Sequence, residues 1–377
     1  MLIATINSGS TSVKLGAFEV LTAGANVAGT LREIAREKHT GASLEPQAVL
    51  KNFIATHKLE TVEVIAHRVV HGGAQFSHPV VIDDAVLATI DSLSELAPLH
   101  NPPALKWIEG AREVCNGKAQ HVAAFDTAFF ADMPRLAKEY ALPPSLGVEH
   151  NVRRYGFHGL AHEAMWRRWS ELRPGSATSG RVISLQLGGG CSAAAVMGGR
   201  PLDTSMGFSP LEGLVMGTRT GDVDPAVVAY LAQKLQCSGN DIIERFNREA
   251  GLLGVSGISK DINELIASDS PDARFAVELY CYRIRKYIGA YLAVLSGCDA
   301  ILFGGGVGEH IPQVRQAILE GFAWTGVEID SARNERATGS EANISSPQSK
   351  ISVHVIPVDE ESVLARAALS AVDSIRN

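Results

Sequence analysis

The sequence predicts an α/β protein made of two related domains, on three observations. At 377 residues it is longer than one ordinary core accommodates. A strand–turn–strand unit occurs twice, at Leu2–Val20 and again at Val182–Met197, as an approximate internal repeat. After the second unit, segments of helical periodicity lead into further short apolar strands.

Composition narrows the function. Hydrophobic residues make up 46% and charged residues 20%, as in a folded soluble protein. The net charge of −7 argues against a nucleic-acid surface, and the densest basic cluster, Arg283, Arg285 and Lys286, falls on a predicted helix and reads as a solvated face. The five cysteines, Cys115, Cys191, Cys237, Cys281 and Cys298, are far apart and form no C-x-x-C pair; reduced thiols in a cytoplasm are expected, and neither a disulfide framework nor a zinc site. The start, Met-Leu-Ile-Ala-Thr-Ile, reads as a first strand and not a signal peptide. The apolar run 287–303 is broken by Gly297 and Asp299 and reads as a buried helix end entering a strand, so no membrane partner is expected.

In order, Leu2–Ile6 is a strand, Asn7–Ser12 a hydroxyl-rich turn, and Val13–Val20 a second strand carrying Lys14. Such a turn either closes a hairpin or binds phosphate; the P-loop spacing is absent. Val62–Val70 is a strand ending in His67-Arg68-Val69-Val70-His71-Gly72-Gly73, a candidate site or a solvated strand end. Residues 83–97 and 103–115 are helical, separated by Pro98-Leu99-His100-Asn101-Pro102-Pro103. Asp126 follows the strand His121–Phe125, at the carboxyl end where α/β sheets gather ligands. Residues 143–158 read as loop, ending in Tyr155-Gly156-Phe157-His158-Gly159, before a helix Leu160–Leu172.

Gly188–Gly190 follows the strand Val182–Leu187; glycines leave backbone N–H groups open to a ligand. Arg219 lies between Gly217 and Gly221, where its fork can reach an anion. Helices are expected at 226–236, 239–250, 259–267 and 272–296. The strand Ala300–Phe303 leads to a glycine-rich turn, Gly304–Glu309, before the next helix; it is not G-x-G-x-x-G. Residues 331–350 read as loop, Ile351–Val358 as the last strand, and Asp359-Glu360-Glu361 as the start of the last helix, where acids also suit the dipole.

Together these segments resemble the acetate kinase family, of the sugar kinase, heat-shock chaperone and actin superfamily. The match runs from Asn7 to Glu361, through Asn-Ser-Gly-Ser-Thr-Ser-Val-Lys at 7–14, His-Arg-Val-Val-His-Gly-Gly at 67–73, Leu-His-Asn-Pro-Pro at 99–103, Phe-Asp-Thr-Ala-Phe at 125–129, Arg-Tyr-Gly-Phe-His-Gly at 154–159, Met-Gly-Phe-Ser-Pro-Leu-Glu-Gly at 206–213 and Met-Gly-Thr-Arg-Thr-Gly-Asp-Val-Asp-Pro at 216–225.

The resemblance implies two duplicated ribonuclease H-like (actin-like ATPase) domains with a cleft between them: 1–128 completed by a C-terminal helix 362–377, and 129–361 carrying the phosphoryl-donor site. It also implies a cytoplasmic homodimer that transfers phosphate reversibly between ATP and acetate or another short-chain carboxylate, giving acetyl phosphate and ADP. Mg²⁺, or Mn²⁺ in its place, would be held by Asn7 and Glu360. Lys14, Ser10 and Ser12 would contact phosphate. Arg68 and Arg219 would bind the carboxylate and the transferring group, Asp126 would be the essential acid, and His100 and His158 would lie beside the reacting oxygens. Val70, Leu99, Phe157 and Pro210 would line the acyl pocket. Gln186, Leu187, Gly188, Gly189 and Gly190, with Asp261, Ile262 and Asn263 and with Gly306, Val307, Gly308, Glu309 and His310, would face the nucleotide.

The departures from the family pattern lie on the donor side. Gln186 stands where the family has His, Gly189 where it has Asn, Asn263 where it has Arg, and His310 where it has Asn; Lys260 could replace some lost positive charge. They leave open a non-ATP donor such as pyrophosphate. A catalytically silent acyl-phosphate sensor is a third reading, weakened by the intact set Asn7, Arg68, Asp126, His158, Arg219 and Glu360.

Overall fold

A computed structural model describes residues 1–9, 12–21, 30–41 and 44–376. Ser10, assigned to phosphate above, lies outside the described residues. The chain divides into two compact units: residues 1–131, 157–160 and 359–377 form one, and residues 132–156 and 161–358 the other.

The first unit is built on a mixed six-stranded sheet: β1 (Leu2–Ser8), β2 (Ser12–Leu21), β3 (Thr30–Thr40), β4 (Val64–Val69), β5 (Val80–Val81) and β6 (Gln120–Phe125), in the order β3-β2-β1-β4-β6-β5. β1, β4 and β6 run parallel; β2, β3 and β5 run antiparallel to their neighbours. Alternation along β1 sets the layers. Ala4 and Ile6 face a core shared with Leu50 and Phe53 of the helix Pro46–His57 and with Trp107 and Ala111 of the helix Asn101–Cys115. Thr5 points the other way, toward the helix Glu360–Arg376, which packs on β1, β4 and β6. Gly16, opposite Thr5, lets that helix approach: a Cβ there would meet Thr5 Oγ1 at 2.6 Å and Glu361 Cβ at 3.4 Å.

The second unit repeats the plan. β7 (Arg181–Leu187), β8 (Cys191–Met197), β9 (Arg200–Thr204), β10 (Ala300–Gly304), β11 (Ala342–Asn343) and β12 (Ser352–Val355) lie in the order β11-β12-β10-β7-β8-β9. Three consecutive antiparallel strands are followed by two parallel ones and a short antiparallel edge, as in the first unit. Each unit is thus an α/β domain of the same topology. No helix among the described residues is long and apolar enough to cross a membrane.

Several expected elements differ. β10 continues through Gly304, and a helix, Gly305–His310, starts at once with no intervening turn, because Gly305 takes φ +75° and its N–H donates to Glu309 Oε1 at 2.9 Å. The region 331–350 is not all loop: Asp330 caps a helix, Ser331–Arg336, and β11 follows. The last strand is only Ser352–Val355, and the helical stretch 239–250 ends at Arg248, with Gly251–Ser256 as a separate helix.

Candidate active site

In the first unit, the parallel direction of β1, β4 and β6 brings Asn7, Arg68 and Asp126 to one edge of the sheet, since each stands at or just past the carboxyl end of its strand. Arg68 grips Asp126 with two hydrogen bonds, Nε to Oδ1 at 3.0 Å and Nη2 to Oδ2 at 2.7 Å. Its Nη1 donates to Asn7 Oδ1 at 3.1 Å. Asn7 Nδ2 donates in turn to Glu360 Oε2 at 2.6 Å and to Glu361 Oε1 at 2.9 Å. Lys14 is paired with Asn7 across the β1–β2 ladder, and its Nζ lies 3.8 Å from Glu361.

These groups share little water, and their protonation reflects it. Burial pushes the Asp126 carboxyl above its ordinary value and Glu360 adds to that, while Arg68 and the His158 backbone N–H oppose it. Burial would also raise Glu360, but Arg68, Lys14, Asn7 and His158 outweigh it and hold that carboxyl below its ordinary value. Asp126, then Glu360, keep Arg68 charged despite burial.

His158 has φ +58°, and the next residue must be glycine: a Cβ at Gly159 would lie 2.0 Å from the Asp126 carbonyl oxygen. Val70 and Phe157 are buried, the Phe157 ring edge-on to His71 at 5.4 Å, whereas Leu99 is half exposed. His100, partly exposed, is the N-cap residue of the helix Asn101–Cys115.

Two participants escaped the sequence reading. Glu361 is fully buried and takes hydrogen bonds from Asn7 and from Arg36 Nη1, the latter at 2.9 Å; Arg36 lies on β3 and also reaches Asp359. The only signal was the adjacent acid pair 360–361, read as a helix start.

In the second unit, the Gly188–Gly190 turn joins β7 to β8, with the Gly188 N–H donating to the Gly190 carbonyl at 3.1 Å. Nothing would touch a Cβ at Gly189 within 4 Å, nor one at Gly306. Gln186 Oε1 is buried with no hydrogen-bond partner among the described residues. Asp261 is an N-cap, accepting from Asn263 N at 2.8 Å and Nδ2 at 3.1 Å, so both side chains are spent on each other at an exposed helix start. Glu309 Oε1 accepts from Gly305 and Val358 N–H groups, and His310 packs over Gly339.

Arg219 is displayed on a loop backed by the helix Gly251–Ser256: Leu252 and Leu253 N–H donate to the Met216 and Gly217 carbonyls, both at 2.9 Å. Its Nη1 donates to the Pro210 carbonyl at 3.1 Å, and no acid pairs with it among the described residues. Burial pulls its pKa down, the Cys191 thiol opposing. The Arg219 guanidinium is thus desolvated with its charge matched by no carboxylate among the described residues.

The acetokinase family profile matches residues 28–366. The chain belongs to the acetokinase family. Over 82% of its length it is 47% identical to the acetate kinase of Chloroherpeton thalassium, of which it covers 75%. Among solved structures, this acetokinase superposes on Porphyromonas gingivalis acetate kinase with a TM-score of 0.85 at 35% identity, and on a Francisella tularensis propionate kinase with 0.86 at 34%, covering 98% of this chain and 99% of the other in both cases. It is a kinase that transfers phosphate to a carboxylate, with the actin-like fold expected of it. No finding favours the pyrophosphate donor or the silent sensor.

Proposed function

We propose that this acetokinase interconverts ATP and acetate with ADP and acetyl phosphate, and that the Arg68–Asp126–Asn7–Glu360 centre carries its acceptor side. That centre is the deciding observation: it is a buried guanidinium already oriented by a carboxylate, with a second carboxylate held anionic beside it.

Acetate is ionised at neutral pH, so the reaction needs no base. A carboxylate oxygen attacks the γ-phosphorus; the bond from that phosphorus to the β,γ-bridging oxygen breaks, and ADP leaves with the electron pair. The work of the chain is alignment and relief of anion–anion repulsion. Arg68 and Arg219 take the carboxylate and the transferring phosphoryl group, Lys14 and Ser12 contact phosphate, and Asp126 orients Arg68 without removing a proton. His158 serves through its backbone N–H toward Asp126 and through its side chain near Glu360, where it helps to hold that carboxyl low. Val70, Leu99, Phe157 and Pro210 bound a small acyl group, and Gln186–Gly190, Asp261–Asn263 and Gly306–His310 accept the nucleotide. We assign the acceptor centre to residues 1–131, 157–160 and 359–377, the unit that holds Asn7, Arg68, Asp126 and Glu360, and the donor site to residues 132–156 and 161–358.

A magnesium ion fits the donor set of Asn7 and Glu360, which offers hard oxygen atoms and one held-anionic carboxylate; Mg²⁺ ordinarily takes one or two carboxylates and fills its other positions with water and substrate phosphate. When bound there, it supplies charge neutralisation to phosphate oxygens.

We also assign a homodimer. The helix Ala226–Leu235, Ala-Val-Val-Ala-Tyr-Leu-Ala-Gln-Lys-Leu, buries none of its residues, and Tyr230 and Leu235 are more than half exposed. A groove of about 520 Å³ beside it is lined by Leu231, Leu235, Ile242, Phe246 and Leu279. A Leu235→Glu substitution yields monomers on sedimentation if this face is the interface. Five free thiols, four of them buried, suit the cytoplasm.

The deciding experiment is hydroxylamine trapping of acyl phosphate with acetate, Mg²⁺ and, in parallel, ATP, GTP and pyrophosphate. Hydroxamate with ATP is expected. Product from pyrophosphate alone transfers the assignment to that donor, and no product from any donor overturns the kinase.

A further inference from the structure

Among the described residues the Arg219 guanidinium is held at its Nη1 end only, which donates to the Pro210 carbonyl at 3.1 Å and more weakly to Met216 Sδ at 3.7 Å. Its position therefore depends on what fixes the segment 207–213. Tyr140 fixes the near end: its hydroxyl accepts from the Phe208 N–H at 2.9 Å and donates to Glu212, which Arg154 also holds. Asp222 fixes the far end. Its N–H donates to the Gly213 carbonyl at 2.9 Å, and its Oδ1 accepts the Gly213 N–H at 2.9 Å, a reciprocal pair that ties the end of the Arg219 loop to the end of the Pro210 segment. Its Oδ2 accepts from the Tyr287 hydroxyl at 2.8 Å, and Tyr287 belongs to the long helix Pro271–Val294. The join is tight: a Cβ at Gly221, where φ is +67°, would lie 2.4 Å from the Gly213 carbonyl oxygen.

We propose that Asp222 and Tyr287 are positioning residues for Arg219: through Gly213 they set the Pro210 carbonyl, and the Pro210 carbonyl sets the guanidinium. The inference rests on the kinase reading above, and it adds two residues that touch neither substrate nor nucleotide. Burial and Asp222 push the Tyr287 phenol up, so it remains a hydrogen-bond donor throughout the working range. Tyr287→Phe leaves Asp222 in place and removes a single half-buried oxygen.

The experiment compares Tyr287→Phe and Asp222→Asn with wild type, each alone and combined with Arg219→Lys, by turnover and by calorimetric binding of acetyl phosphate. Tyr287→Phe is expected to lower kcat about tenfold, and Asp222→Asn further, with KM for ATP within about twofold and the melting temperature nearly unchanged. In the Arg219→Lys background, neither is expected to cost more than about twofold, because the pathway they act through is already broken. Acetyl phosphate binding should weaken in the same pattern. Full additivity with Arg219→Lys, or a kcat for Tyr287→Phe within about twofold of wild type, overturns the positioning role. Wild-type protein that binds acetyl phosphate without turnover instead overturns the kinase reading, and the binding pattern then decides the positioning role alone.

Discussion

Arg68 spends three of its five guanidinium N–H groups inside the chain, Nε and Nη2 on Asp126 and Nη1 on Asn7, so this cation is oriented before any substrate arrives and keeps two N–H groups for it. Asp126→Asn leaves the shape and removes the charge. The expected result is a fall in kcat of about 10² with a folded protein. Arg68→Met should cost more stability, about 3–5 kcal/mol, because it strands a buried carboxylate. Denaturant titration of both variants checks the order.

Arg219 should behave in the opposite way. With no acid to strand, Arg219→Met should leave the melting temperature unchanged or raise it, since the cost of burying an unpaired cation disappears. Turnover should fall by about 10³ or more. A variant that keeps more than about a tenth of wild-type kcat removes Arg219 from the reaction.

Glu361 should matter through Asn7 and Lys14. Glu361→Gln keeps the side chain's size but releases Arg36 and Lys14, so the half-saturating Mg²⁺ concentration should rise about tenfold, with kcat reduced less. A Mg²⁺ titration of the hydroxamate assay reads this directly, and Arg36→Met should reproduce part of it.

Acid should destabilise the fold before it protonates most carboxylates. His67 Nε2 and His121 Nδ1 meet at 3.0 Å in the first sheet; burial drives His67 well below its ordinary value and, with Arg112, takes His121 down to about 4. Burial, with Arg173, does the same to His354, also to about 4, in the second. Between pH 6.5 and about 4 the unfolded chain binds protons that the native chain refuses, so stability is present above pH 6.5 and falls as pH drops. The slope approaches ~1.4 kcal/mol per pH unit for each such histidine. Unfolding midpoints at pH 7 and pH 5 should show it, and His121→Gln should flatten the dependence.

Much of this was legible in the sequence because the chemistry sits where strands end. The two hairpins, the strand ends at Arg68 and Asp126 and the loop around Arg219 all carry local signals: apolar runs closed by glycine, histidine or acid. What escaped carries none. β3 is an edge strand of arginine, glutamate and lysine, with only Ala35 buried, so it has no apolar alternation to betray it, and Arg36 was hidden with it. Glu360 and Glu361 are adjacent in a helix, and only packing shows that the second is the more deeply enclosed. Gly305 looked like part of a turn because its positive φ serves a helix start, which composition cannot distinguish.

The helix Glu360–Arg376 belongs to the unit that the first residues of the chain begin, and Asn7 meets Glu360 across 353 positions. On the ribosome, therefore, the N-terminal sheet emerges long before its last layer exists, while the second unit, ending at Val358, has all its residues first. The early half must wait as an open sheet with one face uncovered, exposed to association with other nascent chains until residues 360–376 have emerged.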